Sequence, residues 1–220
     1  MTRSGRERIL VAVDTPELDR ARGLVDLLGG HVGGFKIGLE LFVSHGPRFV
    51  EAIVGGGSSV FLDLKLHDIP NTVAGAARAA GRLGVAFLTM HASGGVPMMR
   101  RAVEAANQGA ESAGLAPPLA LAVTVLTSLD DDELARVGLA GGCGSAVTRL
   151  AGLAREAGVG GIVCSPREIG AVRRVFPQAR LVVPGVRPAG APVLGDDQSR
   201  VATPGTAVAA GADYLVIGRP

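Results

Sequence analysis

The chain has 220 residues, of which 47% are apolar and 33 are glycine, and it carries a net charge of +2. That length suits one large domain or two small ones, and the near-balance of charge gives no electrostatic case for a nucleic-acid or membrane partner. Aromatic residues make up only 3% and Trp is absent, which argues against stacking platforms for single-stranded nucleic acid. The two cysteines, Cys143 and Cys164, fit neither a zinc spacing nor a disulfide framework and point to a reducing cytoplasm. Residues 1–8 are polar and basic and precede a short strand-like run, unlike a signal peptide. No stretch reaches the roughly 18 apolar residues of a membrane span.

In chain order, Ile9-Leu-Val-Ala-Val-Asp14 reads as a first strand ending in a carboxylate. Pro16 opens a helix, where its missing N–H costs nothing, and Gly29-Gly30 closes it. Gly34-Phe-Lys36-Ile-Gly38 reads as a second strand with a lysine inside it, and Gly46-Pro47 begins a helix that ends at Gly55-Gly56-Gly57. The third strand lies in Val60-Phe-Leu-Asp63-Leu-Lys65-Leu-His67-Asp68-Ile-Pro-Asn-Thr72, followed by an Ala-rich helix over 72–83. A fourth strand over 87–92 contains His91, and a helix spans 97–113. The fifth strand covers 119–126 and ends at Thr127-Ser128; a helix follows over 145–157. Strand six covers 161–165, then a helix 166–176, strand seven 180–186, a helix 203–210 and strand eight 214–219.

Strands alternating with helices imply βαβ units and a parallel sheet. Eight of them predict a (β/α)8 TIM barrel as a single unit over residues 1–220. A doubly wound open sheet is the alternative, but the glycine pattern of a dinucleotide fold is missing after the first strand. The chain stops at Pro220 directly after strand eight, so the expected barrel lacks its final helix.

The third strand is the anomaly. A parallel strand covered on both faces should be almost wholly apolar. Here Asp63 and Lys65, two residues apart, share one face. One reading is a structural ion pair at a strand end; the other is a fixed charge array for proton transfer. In a barrel of this kind the chemistry sits at the C-terminal strand ends. Asp14, Lys36, Asp63, Lys65, His91, Thr127 and Arg219 all fall there. An Asp after a strand is often a helix cap, and His67 and His91 read as core histidines. Lys36, Asp63 and Lys65 on adjacent strands, with Asp14 nearby, would form a network of alternating charge, and a lysine ammonium placed in it is a ready general acid.

The loops after strands seven and eight often bind phosphate. Gly218 allows close backbone approach, and Arg219 offers a planar fork to phosphate oxygens. The long connection 187–203 carries Arg187, Gln198 and Arg200 and has the length of a lid; the other reading is a surface loop. Gly138-Leu-Ala-Gly-Gly-Cys-Gly144 lacks the ending of a P-loop and reads as an ordinary loop. The acidic run Asp130–Glu133 is better explained by a helix start than by a metal, and no convincing metal-ligand set is found.

The stretch Asp63-Leu-Lys65-Leu-His-Asp68-Ile-Pro-Asn-Thr72 resembles the Asp-x-Lys-x-x-Asp-Ile-Pro-x-Thr signature of the orotidine 5′-phosphate decarboxylase family. The likeness runs through Asp14, Phe35-Lys36-Ile-Gly38, His91-Ala-Ser-Gly-Gly95, Val123–Ser128, Val163-Cys-Ser165, Pro184-Gly-Val-Arg187, Gln198 and Ile217-Gly-Arg219-Pro220. It implies a homodimer with shared active sites, Asp68 reaching into the partner's site and Thr72 contacting ribose or phosphate there. Asp14 and Lys36 would hold ribose hydroxyls and Thr127 the pyrimidine. Pro184, Arg187, Gln198, Gly218 and Arg219 would line or bind the phosphate end. Lys65, with Asp63, Asp68 and Lys36, would carry the chemistry, without metal or organic cofactor. The alternative is a magnesium-dependent sugar-phosphate decarboxylase or lyase of the same barrel type. That group resembles this chain in the Asp-x-Lys-x-x-Asp core but places a Glu where Lys36 stands.

Overall fold

The computed structural model describes residues 4–187 and 202–218. Its eight strands are β1 (Ile9–Ala12), β2 (Gly34–Gly38), β3 (Val60–Leu66), β4 (Phe87–His91), β5 (Leu119–Val123), β6 (Gly161–Val163), β7 (Arg180–Val183) and β8 (Tyr214–Ile217). Each pairs parallel with its neighbour, and β8 pairs with β1, closing the barrel in sequence order. The TIM-barrel expectation is therefore met. Around it lie α1 (Leu18–Leu28), α2 (Leu39–His45), α3 (Pro47–Gly55), α4 (Pro70–Arg82), α5 (Gly95–Ser112), α6 (Asp131–Arg136), α7 (Gly142–Glu156), α8 (Ile169–Val175) and α9 (Pro204–Ala209).

Period-2 alternation sorts each strand's side chains into two cores. Leu10, Phe61, Phe87, Leu121, Val182, Tyr214 and Val216 fill the barrel interior. Residues of opposite parity, such as Ile37, Leu62, Leu88 and Leu181, pack outward against the helices. The interior aromatics meet edge to face: Phe87 lies 5.8 Å from Phe61 and 5.0 Å from Tyr214, ring centre to ring centre. This apolar plug fills the lower barrel, so the polar strand ends above it rest on an apolar floor.

Several boundaries depart from the sequence reading. Pro16 precedes rather than opens α1, which starts at Leu18. The connection from β2 to α3 holds an additional helix, α2, which ends where Gly46 takes a left-handed φ of 68° and turns the chain into α3. Helix α4 starts at Pro70 rather than at Thr72, because proline is pre-set for the first helical position. The acidic run does start a helix: the Asp130 side chain caps α6 by accepting the Glu133 N–H at 2.9 Å. Asp131 in turn accepts the Cys143 N–H at 2.7 Å, so α7 begins inside the glycine-rich stretch read as loop.

Candidate active site

The charged side chains meet at the C-terminal mouth of the barrel. Lys36 Nζ donates to Asp14 Oδ1 at 3.1 Å and lies 3.9 Å from Asp63 Oδ2. Lys65 Nζ donates to the same Asp63 oxygen at 2.8 Å. The result is one row in alternating sign, Asp14, Lys36, Asp63, Lys65, across the end of β1 and the adjacent strands β2 and β3. Asp63 is the deepest member, with a side chain 12% exposed; Lys36 follows at 14% and Lys65 at 30%. Each buried charge thus has an opposite partner, which burial requires. Gly38 contributes by omission: a Cβ there would come 3.3 Å from the Lys36 ammonium.

Strand β3 does not run regularly to this point. Its register with β4 breaks between Leu62 and Leu66. Within the break Lys65 adopts φ of 49°, the one non-glycine residue with positive φ among the described residues. A left-handed conformation costs an L-residue roughly 1–2 kcal/mol, and such strain persists only where surrounding contacts over-determine it. Asp63 and Lys65 do share the inward face, as their spacing predicts, but the lysine backbone is bent to bring its ammonium onto the carboxylate.

The cavity bounded by this row has a volume of about 240 Å³. Its wall is divided. Asp14, Lys36, Asp63 and Lys65 make a charged side, while Val123, Val125, Leu126, Val163 and Val216 make an apolar side. Thr127, Pro184, Arg187 and Gly218 complete the rim. At the rim the Arg187 N–H donates to the Ala202 carbonyl and the Ala202 N–H to the Gly185 carbonyl, tying the two ends of the long connection together. Cys164 also lines the cavity. Burial, and then the Glu168 carboxylate, pushes its thiol far above the ordinary range, so it stays protonated and inert.

Eight of the residues singled out in the sequence therefore surround one cavity: Asp14, Lys36, Asp63, Lys65, Thr127, Pro184, Arg187 and Gly218. Asp68 and Thr72 do not line it. Both are exposed, and the Asp68 carboxylate turns back to accept the Ile69 N–H. Gln198 and Arg219 lie outside the described residues. His67 is not a core residue, contrary to expectation; it is exposed, and its ring sits 5.4 Å from that of His91. Burial, the His67 ring and the Lys65 ammonium together hold the His91 imidazole below its usual pKa. Among the described residues no group of three His, Cys, Asp or Glu side chains gathers to hold a metal ion.

Two features escaped the sequence reading. Thr89 is fully buried and bonds both Asp63 and Lys65; in the sequence it is an ordinary β-branched strand residue. Lysine usage is a signal that was legible. Of 22 basic residues only Lys36 and Lys65 are lysines, and both are here.

Residues 7–220 match the family described as orotidine 5′-phosphate decarboxylase / HUMPS. A relative named orotidine 5′-phosphate decarboxylase from Paramagnetospirillum magneticum is 53% identical over 213 residues, covering 96% of this chain and 90% of the relative. A second of that name, from Anaeromyxobacter sp. strain K, is 55% identical over 97% of this chain and 90% of its own length. The crystal structure of orotidine 5′-phosphate decarboxylase from Lactobacillus acidophilus superimposes with a TM-score of 0.83 at 34% identity, over 96% of this chain and 90% of that one.

Proposed function

Since the chain belongs to the orotidine 5′-phosphate decarboxylase / HUMPS family, we propose that it converts orotidine 5′-monophosphate to uridine 5′-monophosphate and CO2, the last step of de novo UMP synthesis. The observation that carries this reading is the alternating row Asp14, Lys36, Asp63, Lys65 beside an apolar wall suited to a planar ring.

Decarboxylation breaks the bond from C6 of the pyrimidine to its carboxyl carbon and leaves the electron pair on C6. No organic cofactor is needed if a fixed cation stands at that carbon. The Lys65 ammonium supplies it and then gives its proton to C6. A charge already in place in a dry site costs no reorganisation when the transition state forms. Lys65 regains a proton from solvent, so one proton is taken up per CO2 released. Asp63 faces the substrate carboxylate and disfavours the ground state next to it. Asp14 and Lys36 hold the ribose hydroxyls, and Thr127 contacts the pyrimidine. Arg187, Gly218, Gln198 and Arg219 take the phosphate, with Pro184 on the same rim. The phosphate is remote from C6, yet its binding energy can be spent on positioning and thus raise the rate.

Residues 1–220 act in this reading as one catalytic unit, a cytoplasmic homodimer. Asp68 and Thr72 serve the partner's site. Their exposure, away from their own cavity, supports that assignment.

The test is the ultraviolet absorbance of orotidine 5′-monophosphate mixed with the protein in excess chelator. The substrate band is expected to give way to that of uridine 5′-monophosphate. Lys65→Arg keeps the charge but not a transferable proton, so turnover should fall by about 10³-fold or more. Unchanged turnover in that variant removes Lys65 from the acid role.

A further inference from the structure

Between Leu62 and Leu66 strand β3 loses its backbone register with β4. The Lys65 N–H, turned by the left-handed backbone, donates instead to the Thr89 hydroxyl at 2.9 Å. The same hydroxyl donates to Asp63 Oδ1 at 2.9 Å. Thr89 itself is 0% exposed, in the inward row of β4 between Phe87 and His91.

The direction of both bonds is forced. An amide N–H can only donate and a carboxylate can only accept, so the hydroxyl has one orientation. It replaces the strand partner that the register break removes. It also occupies one oxygen of Asp63, which leaves Oδ2 for Lys65 and Lys36. One buried hydroxyl thereby sets the rotation of the carboxylate and the backbone conformation of the lysine.

We propose that Thr89 is the positioning residue of this site, holding Asp63 and Lys65 in reacting register from the neighbouring strand. The assignment rests on the decarboxylase reading, because Asp63 and Lys65 are the two groups placed at the scissile bond. Substrate binding relies on other residues, namely Asp14, Lys36 and the phosphate rim. Loss of the hydroxyl therefore falls on the chemical step. Misplacement of reacting groups by an ångström is worth about a hundredfold in rate.

The experiment compares Thr89→Val and Thr89→Ser with the parent protein, by steady-state kinetics and by amide exchange on chains labelled with 15N-lysine. Such chains show two backbone lysine amides, from Lys36 and Lys65. Valine should lower kcat roughly 10- to 100-fold, leave KM within about threefold and speed exchange at Lys65 but not Lys36. Serine, which restores the hydroxyl, should recover both rate and protection. A folded valine variant with parental kcat and a protected Lys65 amide overturns the proposal. So does a serine variant as impaired as valine, or a valine variant that cannot fold, since each makes Thr89 a general prop. Exchange is read without substrate, so inactivity of the parent protein counts against the decarboxylase reading alone.

Discussion

At the scale of single residues, the chemistry of the side chain fits the proton-transfer role proposed for Lys65. Arginine serves as the cation everywhere except at two positions, Lys36 and Lys65. A guanidinium stays protonated at any physiological pH and cannot hand over a proton. An ammonium can, and it is compact enough to fit between two carboxylates in the cavity. A second, half-buried ion group, at the opposite end of the barrel, has a structural task. Asp213 accepts the Leu181 N–H at 2.9 Å and pairs with Arg173 and Arg180 at 2.8 and 3.1 Å. Burial alone would raise its pKa, but these three partners outweigh burial and hold it below the usual value. The folded carboxyl thus binds its proton less readily than the unfolded one. Its contribution to stability is fully present above about pH 4, the ordinary carboxylate value, and is lost as the pH falls through the lower, folded pKa. Asp213→Asn should therefore lower the thermal midpoint at pH 7, and the difference from the parent should shrink in acid. A pH-independent difference would show that the ion pairs matter little there.

At the scale of elements, the closest packing is between α4 and α5. Small residues line both sides: Ala74, Ala77, Ala80 and Gly81 on one, Ala102, Ala105, Ala106 and Gly109 on the other, all buried. A Cβ at Gly109 would collide with the Arg78 carbonyl, and one at Gly81 with the Ala106 carbonyl. The backbones touch because nothing larger than hydrogen stands between them. Gly109→Ala is expected to push the helices apart at about 1–3 kcal/mol of stability, read by denaturant unfolding. An unchanged midpoint would mean that the two helices can separate freely. The position of α4 matters for the site, since α4 follows directly on the Lys65–Asp68 segment and carries Thr72 in its first turn.

At the scale of the whole molecule, barrel closure brings β1 beside both β2 and β8, and so Asp14 beside Lys36 and Gly218. An apolar plug lies below the row of charges, which stands at the mouth of the barrel. Asp68, Ile69 and Thr72 stand outside this enclosure; Ile69 is 66% exposed, an unusual setting for a large aliphatic side chain. A homodimer in which these residues face the partner's cavity gives a direct expectation. Asp68→Ala and Lys65→Ala homodimers should each be nearly inactive. After mixing and subunit exchange, one site of each heterodimer combines both intact residues, and activity should return to about a quarter of the parent's, as half the dimers carry one intact site. Absence of recovery in proven heterodimers would place Asp68 outside the partner's site.

The order of strands was legible in the chain alone, because apolar runs of strand length are punctuated by Gly and Pro, which act locally. The sequence also marked Asp14, Lys36, Asp63 and Lys65 as a set, because charges inside otherwise apolar strands are costly unless they meet one another. It was silent on α2, whose end depends on the left-handed turn at Gly46 rather than on composition. The remaining features arise from contacts between strands. The break in β3, the left-handed Lys65 and the double bond made by Thr89 depend on how two strands are registered. A register break is a relation between two strands, and the alternation within β3 does not mark where it falls.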